Sequence, residues 1–214
     1  MKFLVISDIH GRERVIAWTR KVASELRVDG IFVLGDITNF GPPEWAGHFL
    51  RSLPPPVYAI PGNCDPPGVI DWIERCAISL HRTKKTVEGQ TFIGMGGSNP
   101  TPFHTPYEMP EGEIERALRP LMEEGAILVT HTPPIGVNDL AFSGRQGGSL
   151  ALRRLVAEFP PRAVISGHIH EAPGVFTESG TLFVNPGAAK DSRAAVLEVD
   201  GRIGAVLLSG LAEY

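Results

Sequence analysis

Five times along the chain, a short apolar run rich in β-branched residues leads into polar residues able to hold a metal ion. Residues 2–7 (KFLVIS) end at Asp8-Ile-His10, and residues 30–35 (GIFVLG) end at Asp36. Residues 57–60 (VYAI) lead through Pro61-Gly62 to Asn63-Cys64-Asp65. Residues 126–130 (AILVT) deliver His131, and residues 163–166 (AVIS) deliver His168-Ile-His170. Runs this short and this apolar read as buried strands. Between the first two, Val15, Ile16, Trp18, Val22, Ala23 and Leu26 recur at helical spacing within residues 12–27, which makes a βαβ unit. In α/β sheets, sites form beyond the carboxyl ends of the strands, so all five clusters can converge on one rim.

The remaining segments extend this frame. Residues 69–76 read as a short helix, and residues 86–88 and 91–95 as a hairpin around Gly89-Gln90. Residues 96–110 (GGSNPTPFHTPYEMP) fit no regular element; they are either an ordered functional wall or a mobile connection. Residues 112–123 are expected to be helical, and Ser149 to cap a helix running to Phe159. Residues 181–184, 194–199 and 203–208 read as consecutive strands, with a hairpin turn at Asp200-Gly201. A chain that begins as βαβ and ends as a β-meander implies two packed sheets with helices outside, here as one domain over residues 1–214.

Composition excludes some functions. Hydrophobic residues make up 43 %, too many for a disordered chain, and a net charge of −4 without a long run of Lys or Arg argues against a nucleic-acid surface. No stretch approaches the ~20 apolar residues of a membrane span. The two cysteines, Cys64 and Cys76, are too few for a disulfide framework, so a cytoplasmic location is expected.

Taken singly, each polar cluster has an ordinary explanation as a turn or a capping carboxylate. Taken together they do not: four of the seven histidines directly follow apolar strands, beside two strand-end aspartates and an asparagine. In this order, Asp8-Ile-His10, Gly35-Asp36, Gly62-Asn63-Cys-Asp65, Thr-His131 and Gly167-His168-Ile-His170 resemble the calcineurin-like metallophosphoesterase superfamily. The resemblance runs from Met1 to about Gly187 and includes the turn Asn185-Pro-Gly. It implies a four-layer α-β-β-α sandwich of two mixed sheets flanked by helices. It also implies two divalent metal ions, drawn from Mn, Fe, Zn, Co or Ni, since histidine and carboxylate ligands suit them all. One metal would take Asp8, His10, Asp36 and His170; the other would take Asp36, Asn63, His131 and His168. Asp36 would bridge them, its charge relieving their repulsion. The implied reaction is attack of a shared hydroxide on phosphorus.

Two departures qualify the likeness. Many members carry histidine where this chain has Cys64, a thiol that is a poorer proton donor; small prokaryotic relatives with Asn-Cys-Asp resemble phosphodiesterases. Cys64 therefore either replaces the proton donor or fills space behind Asn63. After Asp36 the sequence is Ile-Thr-Asn39-Phe rather than the Asp-Arg of protein phosphatases, which argues against a phosphoprotein substrate. Asn39 and Asp65 are expected to support the ligands from behind. Asn99 and Arg145 are candidate substrate contacts, with a solvated loop arginine as the competing reading of Arg145. The function expected is hydrolysis of a small or nucleotide-like phosphodiester. A phosphomonoesterase and a non-catalytic scaffold of the same fold are the alternatives, the complete ligand set arguing against the scaffold. The expected partner is a small-molecule phosphoester, with no nucleic-acid or membrane surface; association into a homo-oligomer stays open.

Overall fold

The computed structural model describes residues 1–210, so the expected domain of 1–214 extends slightly past the described part. The first half alternates strands β1 (Lys2–Ile6), β2 (Gly30–Val33), β3 (Val57–Ala59) and β4 (Ile78–Ser79) with helices α1 (Arg14–Leu26), α2 (Pro43–Ser52) and α3 (Gly68–Cys76). The second half holds β5 (Thr83–Val87), β6 (Gln90–Met95), α4 (Glu111–Leu118), β7 (Ile127–Thr130), α5 (Leu150–Glu158) and β8 (Ala163–Ile165). It continues with β9 (Gly174–Glu178), β10 (Thr181–Asn185), β11 (Arg193–Val199) and β12 (Ile203–Ser209). Two six-stranded sheets result, ordered β12-β11-β1-β2-β3-β4 and β5-β6-β7-β8-β10-β9.

The strand sequences account for the layers. Alternate residues of β1 face opposite ways: Phe3 and Val5 enter the core between the sheets, while Leu4 and Ile6 face the helices α1 to α3. Both faces are buried, which is why the strand reads as an unbroken apolar run. Phe3, Phe32, Tyr58 and Phe92 meet between the sheets with ring centroids 4.9–6.5 Å apart, each pair adding about 0.5–1.5 kcal/mol beyond simple burial. A third cluster packs α4 and α5 on the second sheet through Ile114, Leu118, Leu152 and Leu155 against Ile93, Leu128 and Val164. The architecture is the expected sandwich of two mixed sheets flanked by helices.

Local structure follows the sequence where its pattern is strong. Ser149 caps α5 by accepting a hydrogen bond from the Leu152 amide. The β5–β6 hairpin turns on Glu88-Gly89 rather than Gly89-Gln90, because both positions take positive φ (47° and 82°), the geometry that matches strand twist. Helix α4 stops at Leu118, short of the expected residue 123. The three C-terminal strands are not one meander: β10 pairs with β8 in the second sheet, while β11 and β12 return to the first. Helix α2 lies outside the expected elements, although Pro43 at its first turn and the apolar Ala46, Phe49 and Leu50 carry a helical signal. Strands β4 and β9 also lie outside them; one is two residues long, and the other is largely exposed and shows no alternation.

Candidate metal centre

Strands β1, β2 and β3 run parallel, as do β6, β7, β8 and β10, so the carboxyl ends within each group lie together. The two groups meet at one rim. The Asp8 amide donates to Gly35 O (3.1 Å), the Gly167 amide to His131 O (2.9 Å), and His131 Nδ1 bonds Leu34 O across the sandwich (2.7 Å). Two glycines permit this closeness. A Cβ at Gly62 would collide with the Asp36 carboxylate, and one at Gly167 with the Ser7 hydroxyl.

Four of the expected ligands leave their strands in the left-handed region: Asp8 (φ 58°), His10 (49°), Asp36 (48°) and His168 (69°). Each such conformation costs on the order of 1–3 kcal/mol and persists only where surrounding structure enforces it, a feature typical of functional sites.

The side chains converge. His170 Nε2 lies 3.1 Å from Asp8 Oδ1 and 3.2 Å from His10 Nε2, which in turn lies 3.6 Å from Asp36 Oδ2. His131 Nε2 lies 2.9 Å from Asn63 Oδ1 and 3.4 Å from Asp36 Oδ1. The His168 ring packs edge-on against that of His131, centroids 5.1 Å apart, and its amide donates to Asp8 Oδ2. Donor atoms of Asp8, Asp36 and His131, of Asp8, His10 and His170, and of His10, Asp36 and Cys64 each lie within 4.8 Å of one another.

Hydrogen bonding shows what this arrangement fits. His131 Nδ1 faces a carbonyl, which can only accept, so its proton sits there and Nε2 carries the lone pair. Asn63 Nδ2 donates to Thr105 Oγ1 (3.0 Å), which turns Oδ1 toward that lone pair. Three acceptors, His131 Nε2, Asn63 Oδ1 and Asp36 Oδ1, therefore face one another with no proton to share. Asp8 Oδ1 is buried and faces only the Nε2 atoms of His170 (3.1 Å) and His10 (3.9 Å). Converging acceptors of this kind repel unless a cation lies between them, so the residues fit a divalent metal.

The electrostatics agree at His10 and His168. Burial pulls the His10 and His168 imidazoles down to about 4 and about 3, keeping them neutral as ligands must be. Burial pushes Asp36 up to about 6, helped by the Asp8 and Asp65 charges, although His131 opposes it. For Asp8, burial is outweighed by His170, His131 and His10, and its carboxyl falls below the usual range. Burial also lowers His170, but Asp8 more than compensates and the imidazole rises.

Further residues hold this centre in place. Asp65 is wholly buried and accepts from the amides of Ile37, Thr38 and Gly62 and from the Thr38 hydroxyl, fixing the loops that carry Asp36 and Asn63. Asn39, expected to support the ligands, is exposed; Thr38, one residue earlier, stands at that position instead. Cys64 packs against the Asn63 side chain, whose Nδ2 lies 3.6 Å from its sulfur, and the sulfur also faces His10 and Asp36, while the Cys64 amide donates to Asp36 Oδ1 (2.8 Å). Burial and the Asp36 carboxylate push the thiol far up, so it stays protonated. Asn185 bonds Ile169 O and the Gly187 amide, steadying the turn that carries His168 and His170.

Residues 96–110 form a wall of the centre. Tyr107 N–H donates to Asn63 O, and the Glu108 carboxylate accepts from the amides and hydroxyls of Thr101 and Thr105. Glu108 and Thr105 lie outside the expected site residues; their one local signal is a pair of threonines followed by an acid. Asn99 accepts from Thr132 Oγ1 and so ties this wall to the residue after His131. Arg145 lies on an exposed turn, where its carbonyl accepts from the Ala141 amide.

A four-layer sandwich with histidines, carboxylates and an asparagine converging at its strand ends defines a metal-binding α/β protein. The chain belongs to the calcineurin-like phosphoesterases, whose family model matches residues 1–172. It is 33 % identical to an uncharacterized protein of Methanocaldococcus jannaschii over 87 % of this chain and 88 % of that one. Its fold is similar to a crystal structure of a protein from Thermus thermophilus (TM-score 0.74, 19 % identity, covering 97 % of this chain and 98 % of that one). A novel archaeal phosphodiesterase shares the fold more loosely (TM-score 0.54, 15 % identity, covering 97 % and 100 %). Membership implies a hydrolase, and the family typically uses divalent metals.

Proposed function

We propose that this protein is a two-metal phosphodiesterase for a small or nucleotide-like substrate. The observation that carries the reading is the set of facing acceptors, His131 Nε2, Asn63 Oδ1 and Asp36 Oδ1. Asp8, His10, Asp36 and His170 would hold one divalent cation; Asp36, Asn63, His131 and His168 would hold the other. Such a pair supplies an acidified water and neutralises charge on the phosphoryl oxygens. The chain's own contribution is position. Asp36 stands between the two sets, with one oxygen toward His131 and the other toward His10. Asp65 and Thr38 keep the Asp36 and Asn63 loops in register. Cys64 offers the leaving oxygen a protonated but weakly donating thiol, which favours esters that depart readily.

Diester preference draws support from the Asn63-Cys64-Asp65 sequence and from the fold shared with the archaeal phosphodiesterase. Both cysteines are free, which accords with a cytoplasmic, reducing location, and no helix among the described residues is long and apolar enough to cross a membrane. The test combines metal analysis with turnover of bis(4-nitrophenyl) phosphate. Two divalent ions per chain and Mn²⁺-dependent hydrolysis are expected; hydrolysis undiminished after chelation, or none with any metal, overturns the reading. In the same assay, Cys64→His should accelerate alkyl esters more than aryl esters relative to Cys64→Ser. An identical leaving-group dependence in both variants removes Cys64 from the chemistry.

A further inference from the structure

A cavity of about 610 Å³ lies at the far end of the parallel strands from the metal centre. Its floor includes Gly30 and Ile31, the first residues of β2, whereas Asp36 follows the last. The extended chain from Gly30 to Asp36 spans at most about 20 Å. Helix α1 forms one wall. Arg20, Ser24 and Arg27 recur there at i, i+4 and i+7, so they share a face, with about 10 Å of helix between the two arginines. The end of α2 adds Arg51 and Ser52, and no acidic residue lines the cavity.

The fold supplies no counter-charge for this cluster. Arg20 and Arg27 make no ion pair and no side-chain hydrogen bond among the described residues. Asp29, two residues after Arg27, is taken by the Lys2 amide instead (2.7 Å). Arg51 is held in place: its Cζ lies 5.3 Å over the Trp72 ring, and Nη1 donates to Cys76 Sγ (3.2 Å). Arg27 also stands at the left-handed cap of α1 (φ 51°), where glycine is the usual residue, so local structure does not call for an arginine.

Helix-end electrostatics explain only part of the cluster. Both α1 and α2 end at the cavity, and each carboxyl end carries about half a negative charge. Two such ends answer about one of the three positive charges. The remainder gathers in one place on a chain whose net charge is −4.

We propose that this cavity is a second ligand site, which binds a small anion carrying two phosphate groups on an apolar spacer. The proposal does not depend on the reading of the metal centre. Guanidinium groups match phosphate oxygens as paired donors, and the Ser24 and Ser52 hydroxyls add further ones. Two phosphates suit the spacing better than one, which would draw the arginines of α1 together against their own repulsion. Ile31 and Leu53 give the spacer an apolar surface. The volume is that of a small-molecule site, and no longer basic track leads from it to guide a nucleic-acid strand.

Calorimetric titration of the full, Mn²⁺-loaded chain tests this with hexane-1,6-bisphosphonate, whose carbon–phosphorus bonds resist a phosphoesterase, and with hexylphosphonate as its single-headed counterpart. The parent should bind the bisphosphonate tighter by about tenfold or more, the gain of a further charge-assisted contact. Arg20→Gln and Arg27→Gly should each weaken it by about tenfold, with thermal unfolding and bound metal as in the parent. Glycine suits the left-handed cap, so Arg27→Gly removes the charge without threatening the helix. No binding by the parent, equal affinity for the two phosphonates, or binding unchanged in the double variant overturns the site. Binding lost in Asp36→Asn but kept in the arginine variants places the probe at the metal centre and overturns it as well. An oligo(dT) strand that binds the parent more tightly than the bisphosphonate, and is released in the double variant, assigns the arginines to nucleic acid and overturns the small-anion proposal.

Discussion

The two halves of the centre are built from the same kinds of side chain but are held differently. On one side, His10 and His170 have side chains 12 % and 29 % exposed, and their Nε2 atoms face each other and Asp8. On the other, His131 is wholly buried, with its tautomer fixed by Leu34 O and its Asn63 neighbour oriented by Thr105 and, through it, Glu108. The first half is open to water and shaped mainly by its own charges. The second is fixed by a chain of hydrogen bonds reaching into residues 96–110. Outer hydrogen bonds of this sort set the direction of a ligand's lone pair and are worth about 10–100-fold in metal affinity. The comparison leads to the expectation that a chelator strips the His10–His170 side first and the His131 side slowly.

The largest effect belongs to the residue the halves share. Asp36→Asn removes a charge both sides face, so Mn²⁺ occupancy should fall on both and turnover by more than about 100-fold, beyond the loss typical of outer-shell changes. Full activity with two metals still bound would show that the halves do not share Asp36. A smaller effect separates them. Thr105→Val keeps the shape but removes the oxygen that orients Asn63, and should weaken only the slowly exchanging ion, by about tenfold. Equal weakening of both ions in a chelation time course would dissolve the distinction. The smallest effect is that of pH. Asp36 is pushed up to about 6 in the metal-free protein, so a proton competes with the metal there. The sign follows: apparent Mn²⁺ affinity should weaken as pH falls, first where His170, raised above the ordinary histidine value, takes up its proton and then below about 6 where Asp36 does, by about tenfold per unit for each released proton. The raised Asp36 carboxyl by itself subtracts stability from the metal-free protein as pH climbs from about 4 to 6, the unfolded carboxyl ionising first, but His10 and His168, held neutral by burial, add stability over the same range as the unfolded imidazoles lose their protons, so net stability should rise. A thermal unfolding series in which Asp36→Asn does not steepen that rise would place the raised proton elsewhere.

Most of the centre is legible in the chain because its parts obey local rules. A short β-branched run is a strand wherever it occurs, and a polar residue at its end projects from the sheet rim. Asp8, His10, Asp36, Asn63, His131, His168 and His170 are legible on this ground, and Ser149 as a cap on similar ground. Helix α2 is missing from the expected elements although its proline start and its Ala46, Phe49 and Leu50 spacing are present. Glu108 and Thr105 have no comparable signal, because a threonine in an irregular loop gives no sign of which distant amide it will meet.

What the sequence determined by itself is therefore the inventory: which segments are strands, which face of each helix is apolar, and which ligand-capable side chains stand at strand ends. Hydrophobic periodicity and residue chemistry act over a few positions and do not depend on the rest of the chain. The tertiary structure decided the remainder. It sent β10 to one sheet and β11 to the other, because pairing depends on which edge is within reach once the core has closed. It turned Cys64 inward and Asn39 outward, two polar positions that look alike in sequence and differ only in which loop packs behind them. It also placed the His131 proton on Nδ1, since the carbonyl that receives it belongs to Leu34, 97 residues away, and meets the ring only when the two sheets stack.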